Sequence, residues 1–183
     1  RLGISLGVNV NPSDGKICTF DCIYCEVGYN CTHRPTLPRP SRELIAERLE
    51  AKLKEMHTAG AKLDVITFSG NGEPTTHPDF LHIIEDTIRL RNTYYPEAKV
   101  SVLTNSTLAH RPDVHRALLL ADNNIMKLDT VDPAYINKVD RPTQPSYNVE
   151  NIVKEMASFN GHCIVQTIFM HGTDDNGESV DKD

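Results

Sequence analysis

The chain has 183 residues, 39% of them hydrophobic and 24% charged, with 19 Lys+Arg against 25 Asp+Glu for a formal net charge of −6. That is the length of one domain, with enough apolar material for a core and without the charged, apolar-poor composition of a disordered chain. The longest unbroken apolar run, Ala117 to Ala121, falls far short of the roughly 20 residues a membrane-spanning helix needs, and no charged-then-apolar signal segment opens the chain. The expectation is a soluble, cytoplasmic protein with no membrane partner. Because the chain opens on Arg1 and enters an apolar stretch almost at once, it reads as a piece of a longer protein.

In chain order, Ile4 to Val10 reads as a first strand that delivers a long polar loop running to Pro40. Ser41 is a candidate N-cap, and Leu44, Ile45, Leu49, Leu53 and Met56 recur near the helical period until Gly60. Asp64 to Ser69 reads as a second strand and Phe80, Ile83, Ile84 and Ile88 mark a second helix. Lys99 to Thr104 reads as a strand, Asp113 to Ala121 as a helix, Asn124 to Asp129 as a strand, Val149 to Phe159 as a helix and Cys163 to Met170 as a fifth strand. Such alternation argues for a parallel α/β sheet, either doubly wound or a barrel. Polar and glycine residues gather after the strand C-termini, the edge that carries the active site in both architectures. Residues 1–172 form one domain in this reading. Residues 173–183 form a polar acidic tail, in which Asp174, Asp175, Glu178, Asp181 and Asp183 against Lys182 hold −4 of the net charge.

Cys18, Cys22, Cys25 and Cys31 fall within fourteen residues, and Cys163 lies apart inside an apolar strand, as a core residue would. A tight cluster in a chain of this class points to metal rather than to a disulfide framework. Cys18, Cys22 and Cys25 have the spacing C-x3-C-x2-C. They suit zinc if Cys31 or His33 completes a tetrahedron, or an iron–sulfur cube that keeps one iron open to an exogenous ligand. Outside the motif, Cys31 also reads as a free or packing cysteine, and His33, His77 and His171 as solvated loop histidines. Lys127 either points into a barrel as a charge or faces solvent. Arg34, Arg39, Arg42, Arg48, Lys52 and Lys54 make a candidate basic patch, but Glu43, Glu47, Glu50 and Glu55 interleave with it, and the spacing favours a solvated helix face.

After the second strand comes Gly70-Asn71-Gly72-Glu73-Pro74-Thr75, a turn with backbone groups free for a ligand. Together, Cys18, Cys22, Tyr24 and Cys25 followed by this turn resemble the radical S-adenosylmethionine (SAM) superfamily. Its motif is C-x3-C-x-aromatic-C, and its Gly-Gly-Glu-Pro turn is matched here with Asn71 as a departure. The resemblance implies a partial (β/α)6 TIM-type barrel, of which five strands are counted before Gly172, so that the core reads as truncated after the fifth strand.

It implies a [4Fe-4S] cluster on Cys18, Cys22 and Cys25 with SAM chelated at the open iron. Tyr24 would lie on the adenine side, Gly72 and Glu73 with their backbone would receive the methionyl ammonium, and Gly70 and Asn71 of the same turn would belong to the cofactor site. Thr104, Asn105 and Asp129 would meet the ribose hydroxyls or the methionyl part, and Gln166 on the fifth strand matches an amide-bearing cofactor-binding position of some members. The implied activity is that of a radical SAM oxidoreductase, reduced by a protein such as flavodoxin or ferredoxin. It cleaves SAM to a 5′-deoxyadenosyl radical that takes hydrogen from a substrate, with no protein acid or base needed. Gly3 to Val10, Phe68 to Thr75, Leu103 to Ser106 and Lys127 to Asp129 look closest to the tRNA wyosine-synthesis branch, which would make tRNA the substrate. That branch sets a second cysteine cluster ahead of the motif, and no cysteine precedes Cys18 here. The alternative outside enzymology is a zinc-stabilised binding module on the same cysteines.

Overall fold

The computed structural model describes residues 3–181. Five strands, β1 (Ser5–Val8), β2 (Val65–Phe68), β3 (Lys99–Thr104), β4 (Asn123–Lys127) and β5 (Ile164–Gln166), form one parallel sheet in the order β1-β2-β3-β4-β5. Each strand pairs with the next in the chain, as in a barrel, whereas a doubly wound sheet reverses direction at a switch point. The chain therefore has the α/β, partial-barrel architecture.

Between the strands run α1 (Arg42–Thr58), α2 (Phe80–Tyr94), α3 (Pro112–Leu120), α4 (Pro133–Val139) and α5 (Val149–Ser158). Ser41 caps α1 by accepting from the Leu44 amide. Helix α4 lies where the sequence pattern predicts no element. Its signals are local and short: Asp132 accepts from the Ala134 amide and Pro133 occupies the first turn, but seven residues are too few for a visible period.

The register places Thr67, Ser101 and Asn123 in one row, Leu103, Ile125 and Ile164 in the next, and Lys127 with Gln166 in the last. These side chains share one face because strand side chains alternate. The row nearest the N-terminal ends is polar and self-satisfied: Ser5 and Thr67 hydroxyls meet at 2.8 Å, and Asn123 Nδ2 donates to Ser101 Oγ at 2.8 Å. The opposite face, with Phe68, Val100, Val102 and Met126, packs on Phe80, Ile83, Ile84, Val114, Leu118, Ile152 and Phe159 from the helices. A second cluster of Leu49, Leu53, Leu63, Ile66 and Leu90 joins α1 and α2 to the sheet.

The fifth strand is shorter than the apolar run Cys163 to Met170 implies, and Ile164 and Val165 are about half exposed. Among the described residues β5 is an edge strand, so its side chains have a neighbour on one side only. Cys163 is half-buried against the main core. No described helix is long and apolar enough to cross a membrane. Residues 173–181 fold back on α4: Lys138 Nζ reaches Glu178 at 3.0 Å, Arg141 Nη1 reaches Asp175 at 3.0 Å, and Tyr135 donates to the Val180 carbonyl at 2.7 Å. Val180 is buried.

Candidate active site

The loop after β1 carries the cysteines over the C-terminal edge of the sheet. It is anchored where Ile17 runs parallel to Gly72: the Ile17 amide donates to the Asn71 carbonyl at 3.1 Å and the Glu73 amide to the Ile17 carbonyl at 2.9 Å. This close approach explains the glycine. Gly72 has φ +116°, and a Cβ there would lie 2.0 Å from the Ile17 carbonyl oxygen. The extra asparagine has a job of its own. Asn71 Nδ2 donates to the Pro12 and Ser13 carbonyls at 3.1 and 3.3 Å, and its amide donates to Asn9 Oδ1, so it ties the turn to the start of the loop.

Cys18, Cys22 and Cys25 are half-buried and open into a cavity of about 300 Å³ lined also by Phe20, Tyr24, Gly70, Gly72, Glu73, Thr104, Asn105, Lys127 and Gln166. Ten of the residues assigned to the site by resemblance thus share one wall, though they come from the ends of β2, β3 and β5 and from the loop. Asn71 and Asp129 are not among the lining residues. Asp129 stands behind it, 2% exposed, accepting from the Tyr24 hydroxyl at 2.6 Å and from Lys127 Nζ at 2.8 Å. A groove of comparable volume between β1 and α1, lined by Leu6, Val8, Leu44, Ile45 and Leu49, holds none of these groups.

Glu73 is 2% exposed, and its carboxylate is consumed by its own neighbours. Oε1 accepts from the Thr75 amide and hydroxyl and from Thr104 Oγ1 at 2.7 Å, while Oε2 accepts from the Asn105 amide at 2.7 Å. It clasps the end of β2 to the end of β3 and leaves backbone at Gly72 to face the cavity. Asn105 closes a ring of side-chain bonds with Thr19 and Thr107. Thr107 donates to its Oδ1 and its Nδ2 donates to Thr19, which leaves the Thr19 hydroxyl to donate to Thr107. The same Nδ2 lies 3.7 Å from the Cys18 sulfur.

Lys127 points inward. Its ammonium sits between Asp129 and Asp140, 4.9 Å from the centre of the Phe20 ring and 5.5 Å from that of Tyr24. Asp140, beyond the end of α4, was invisible to sequence reading, as was Lys16. Lys16 is 3% exposed with Nζ on the Gly28 carbonyl at 2.7 Å and on Asp21 Oδ1 at 3.3 Å. Nothing in a lone lysine before a cysteine signals burial; only the folded loop shows it.

Burial pushes the Cys18 thiol up to about 11, with the Glu73 carboxylate adding to it, and the Cys22 thiol up to about 12 against the pull of Lys127. Such thiols ionise when a positive centre binds them. Among the described residues no three His, Cys, Asp or Glu side chains are placed to hold one metal ion. In a cube, by contrast, each thiolate takes a different iron. Cys31 is exposed and, like His33, is not among the lining residues. The His33 ring packs on Gly28 and bonds Thr32. The donor set thus suits a cube with three thiolate ligands better than a four-ligand zinc site. His77, read as solvated, is 2% exposed: its Nδ1 accepts from the Asp79 amide at 3.1 Å, so Nε2 donates to the Pro40 carbonyl.

Three cysteines on the loop after the first strand and a glycine turn after the second thus meet at one cavity on the C-terminal edge of an α/β partial barrel, the edge that carries the active site in enzymes of that class. The model of the radical SAM superfamily matches residues 13–182; the chain belongs to that superfamily. It is 28% identical over 183 residues to a UPF0026 protein of Helicobacter pylori, covering 98% of this chain and 56% of that protein. To a UPF0026 protein of Methanocaldococcus jannaschii it is 31% identical over 189 residues, covering 100% and 55%. The chain thus spans about half the length of these curated relatives. Among solved structures, anSMEcpe with bound AdoMet matches with a TM-score of 0.59 and 18% identity over 88% of this chain and 42% of that one. SuiB of Streptococcus suis bound to S-adenosylmethionine matches with a TM-score of 0.57 and 17% identity over 91% and 32%. At these identities the structures speak for the fold.

Proposed function

We propose that this chain is the catalytic core of a radical SAM oxidoreductase in which Cys18, Cys22 and Cys25 hold a [4Fe-4S] cluster and the adjoining cavity takes SAM. The observation that carries the reading is the convergence of the three thiols with Gly72, Thr104, Asn105 and Gln166 on one cavity wall. The chemistry the cluster supplies when bound is one-electron cleavage of SAM to methionine and a 5′-deoxyadenosyl radical, which takes hydrogen from the substrate.

The chain's own residues bind and orient. The Gly72 backbone, held open by the Glu73 clasp, receives the methionyl ammonium. Thr104, Asn105 and Gln166 supply hydroxyl and amide groups for the remaining polar parts of SAM, and the Tyr24 ring, fixed through Asp129, presents its face to the adenine. Asn71 and Asp129 act here as supports. The electron comes from a small reductant protein such as flavodoxin or ferredoxin, and the reducing cytoplasm suits the site.

Anaerobic reconstitution with iron and sulfide, followed by electron paramagnetic resonance (EPR), tests this. The expected result is a reduced-cluster signal that changes when SAM is added; tight zinc binding with no iron uptake would instead support the zinc-stabilised module.

The tRNA-modifying form rests on the motif resemblance to the wyosine-synthesis branch. Half of the basic patch is tied up in the fold: Arg39 turns inward to Thr76, Arg42 pairs with Asp86 at 2.7 Å and Lys52 with Glu55 at 2.8 Å, while Arg34, Arg48 and Lys54 stay exposed. Binding of tRNA that weakens steeply as salt rises would support that form, and no measurable binding at low salt would remove it.

A further inference from the structure

Lys16, Asp21 and Asn30 form a knot that closes the cysteine loop on itself. Asp21 Oδ1 accepts from Lys16 Nζ, from the Asn30 amide at 2.7 Å and from Asn30 Nδ2 at 2.8 Å. Asn30 Nδ2 also donates to the Phe20 carbonyl at 3.1 Å, and Asn30 Oδ1 accepts from the Cys18 amide at 3.2 Å. Lys16 adds two further links: its ammonium to the Gly28 carbonyl at 2.7 Å and its amide to the His33 carbonyl at 2.6 Å. Residues 16 to 21, before the last two cysteines, are thus joined to residues 28 to 33 after them. Within the loop the Cys25 amide donates to the Cys22 carbonyl and the Gly28 amide to the Cys25 carbonyl. None of these bonds involves a sulfur, so the ligating shape is held by protein groups alone.

The knot is also charged. The Lys16 side chain is 1% exposed and lines the same cavity as the three cysteines, whereas its partner Asp21 is 23% exposed. A buried ammonium is screened little by water, while a carboxylate at the surface is screened more. The cation is therefore felt at the thiols more strongly than its counter-ion.

We propose that Lys16 is a positioning residue for the cluster, closing the cysteine loop into ligating form and setting, through its charge, the potential at which the bound cluster is reduced. The inference rests on the cluster-binding function proposed above. Net charge and hydrogen bonding around a cluster are main determinants of its potential. A fixed positive charge favours the reduced, more negative form.

The test compares wild type, Lys16→Met, Lys16→Arg and Asp21→Asn after anaerobic reconstitution, by iron content and by an EPR-monitored redox titration without SAM. Lys16→Met removes one positive charge, and the ratio of reduced to oxidised cluster at a fixed potential should fall on the order of tenfold, about 59 mV for a one-electron couple. Asp21→Asn removes the counter-charge and should move the ratio the opposite way, although both variants loosen the same knot. A purely structural role would move both in one direction. Lys16→Arg should keep iron and potential near wild type. If Lys16→Met takes up no iron while Lys16→Arg does, the positioning half is supported and the Asp21→Asn shift decides the electrostatic half. Shifts of the same sign in Lys16→Met and Asp21→Asn, or wild-type potentials in both at full iron content, overturn the proposal. Failure of the wild type to take up a cluster overturns the proposed function instead.

Discussion

Replacing Gly72 with alanine tests whether the cysteine loop is held in place by the turn after β2. At φ +116° an L-residue is strained, which costs about 1–3 kcal/mol. The added Cβ would meet the Ile17 carbonyl oxygen at 2.0 Å and its carbon at 2.5 Å, both backbone atoms that no rotamer change can move. The loop must retreat, and with it go the bonds from Ile17 to the Asn71 carbonyl and from Glu73 to the Ile17 carbonyl, each worth about 1 kcal/mol net. The smaller entropy of unfolded alanine returns about 0.4–1 kcal/mol, leaving a loss of about 3 kcal/mol. For a domain of this size that is about 6–12 °C in thermal midpoint. Gly60→Ala is the control: φ is +66° there, but nothing lies within 4 Å of the added carbon, so the cost should be about 1 kcal/mol. Urea unfolding of the metal-free variants reads the stabilities, and iron content after reconstitution reads the loop. Equal losses in the two variants, or a Gly72→Ala protein that loads iron like wild type, would refute the reasoning.

Cys22→Ala should abolish reductive cleavage of SAM, measured as 5′-deoxyadenosine formed; production at the wild-type rate would sink the cluster assignment. Asp140 has its carboxyl pushed up to about 6, chiefly by burial, with Lys127 pulling it down and Asp129 pushing it up. A folded-state value above the unfolded 3.8 means that folding takes up a proton between about pH 4 and 6, so wild-type stability falls as pH rises through that window. Asp140→Asn should flatten this slope, which unfolding free energies at pH 4, 5, 6 and 7 would check; an unchanged slope would place the titration elsewhere. Arg141→Ala removes a partner of Asp175 at the surface, where ion pairs contribute up to about 1 kcal/mol. Limited proteolysis should cut residues 173–178 faster with little change in global stability, and unchanged cutting would mean that Lys138, Tyr29, Tyr135 and Val180 secure the segment without Arg141.

The sheet's composition was legible because its strands are short apolar runs separated by helices with clear periods, and the cysteine spacing is local chemistry that survives without coordinates. The turn at Gly72 was legible as a turn; its reason was not, since the clash involves Ile17, far earlier in the chain. The groups that support the site were illegible for the same reason. Asp140 meets Lys127 only because α4 brings it back beneath the end of β4, and α4 is too short to show a period. Lys16 looks like any polar loop residue until Asp21 and Asn30 close around it. The exposure of Ile164 and Val165 depends on which strand has a neighbour, a property of the sheet and not of the residues.

By itself, then, the sequence determined the α/β alternation, the three thiols and the glycine turn, because these rest on near-neighbour sterics and ligand chemistry. The alternation alone left a doubly wound sheet and a barrel open and the motif resemblance implied the barrel; the tertiary structure decided it, with the sheet in sequential order. It also decided that Glu73 clasps β2 to β3 with its carboxylate, that Asn71 and Asp129 stand behind the cavity wall, and that one buried lysine lies beside the cysteines. Each of these depends on which distant segments meet, and that is settled by the packing of the helices on the sheet.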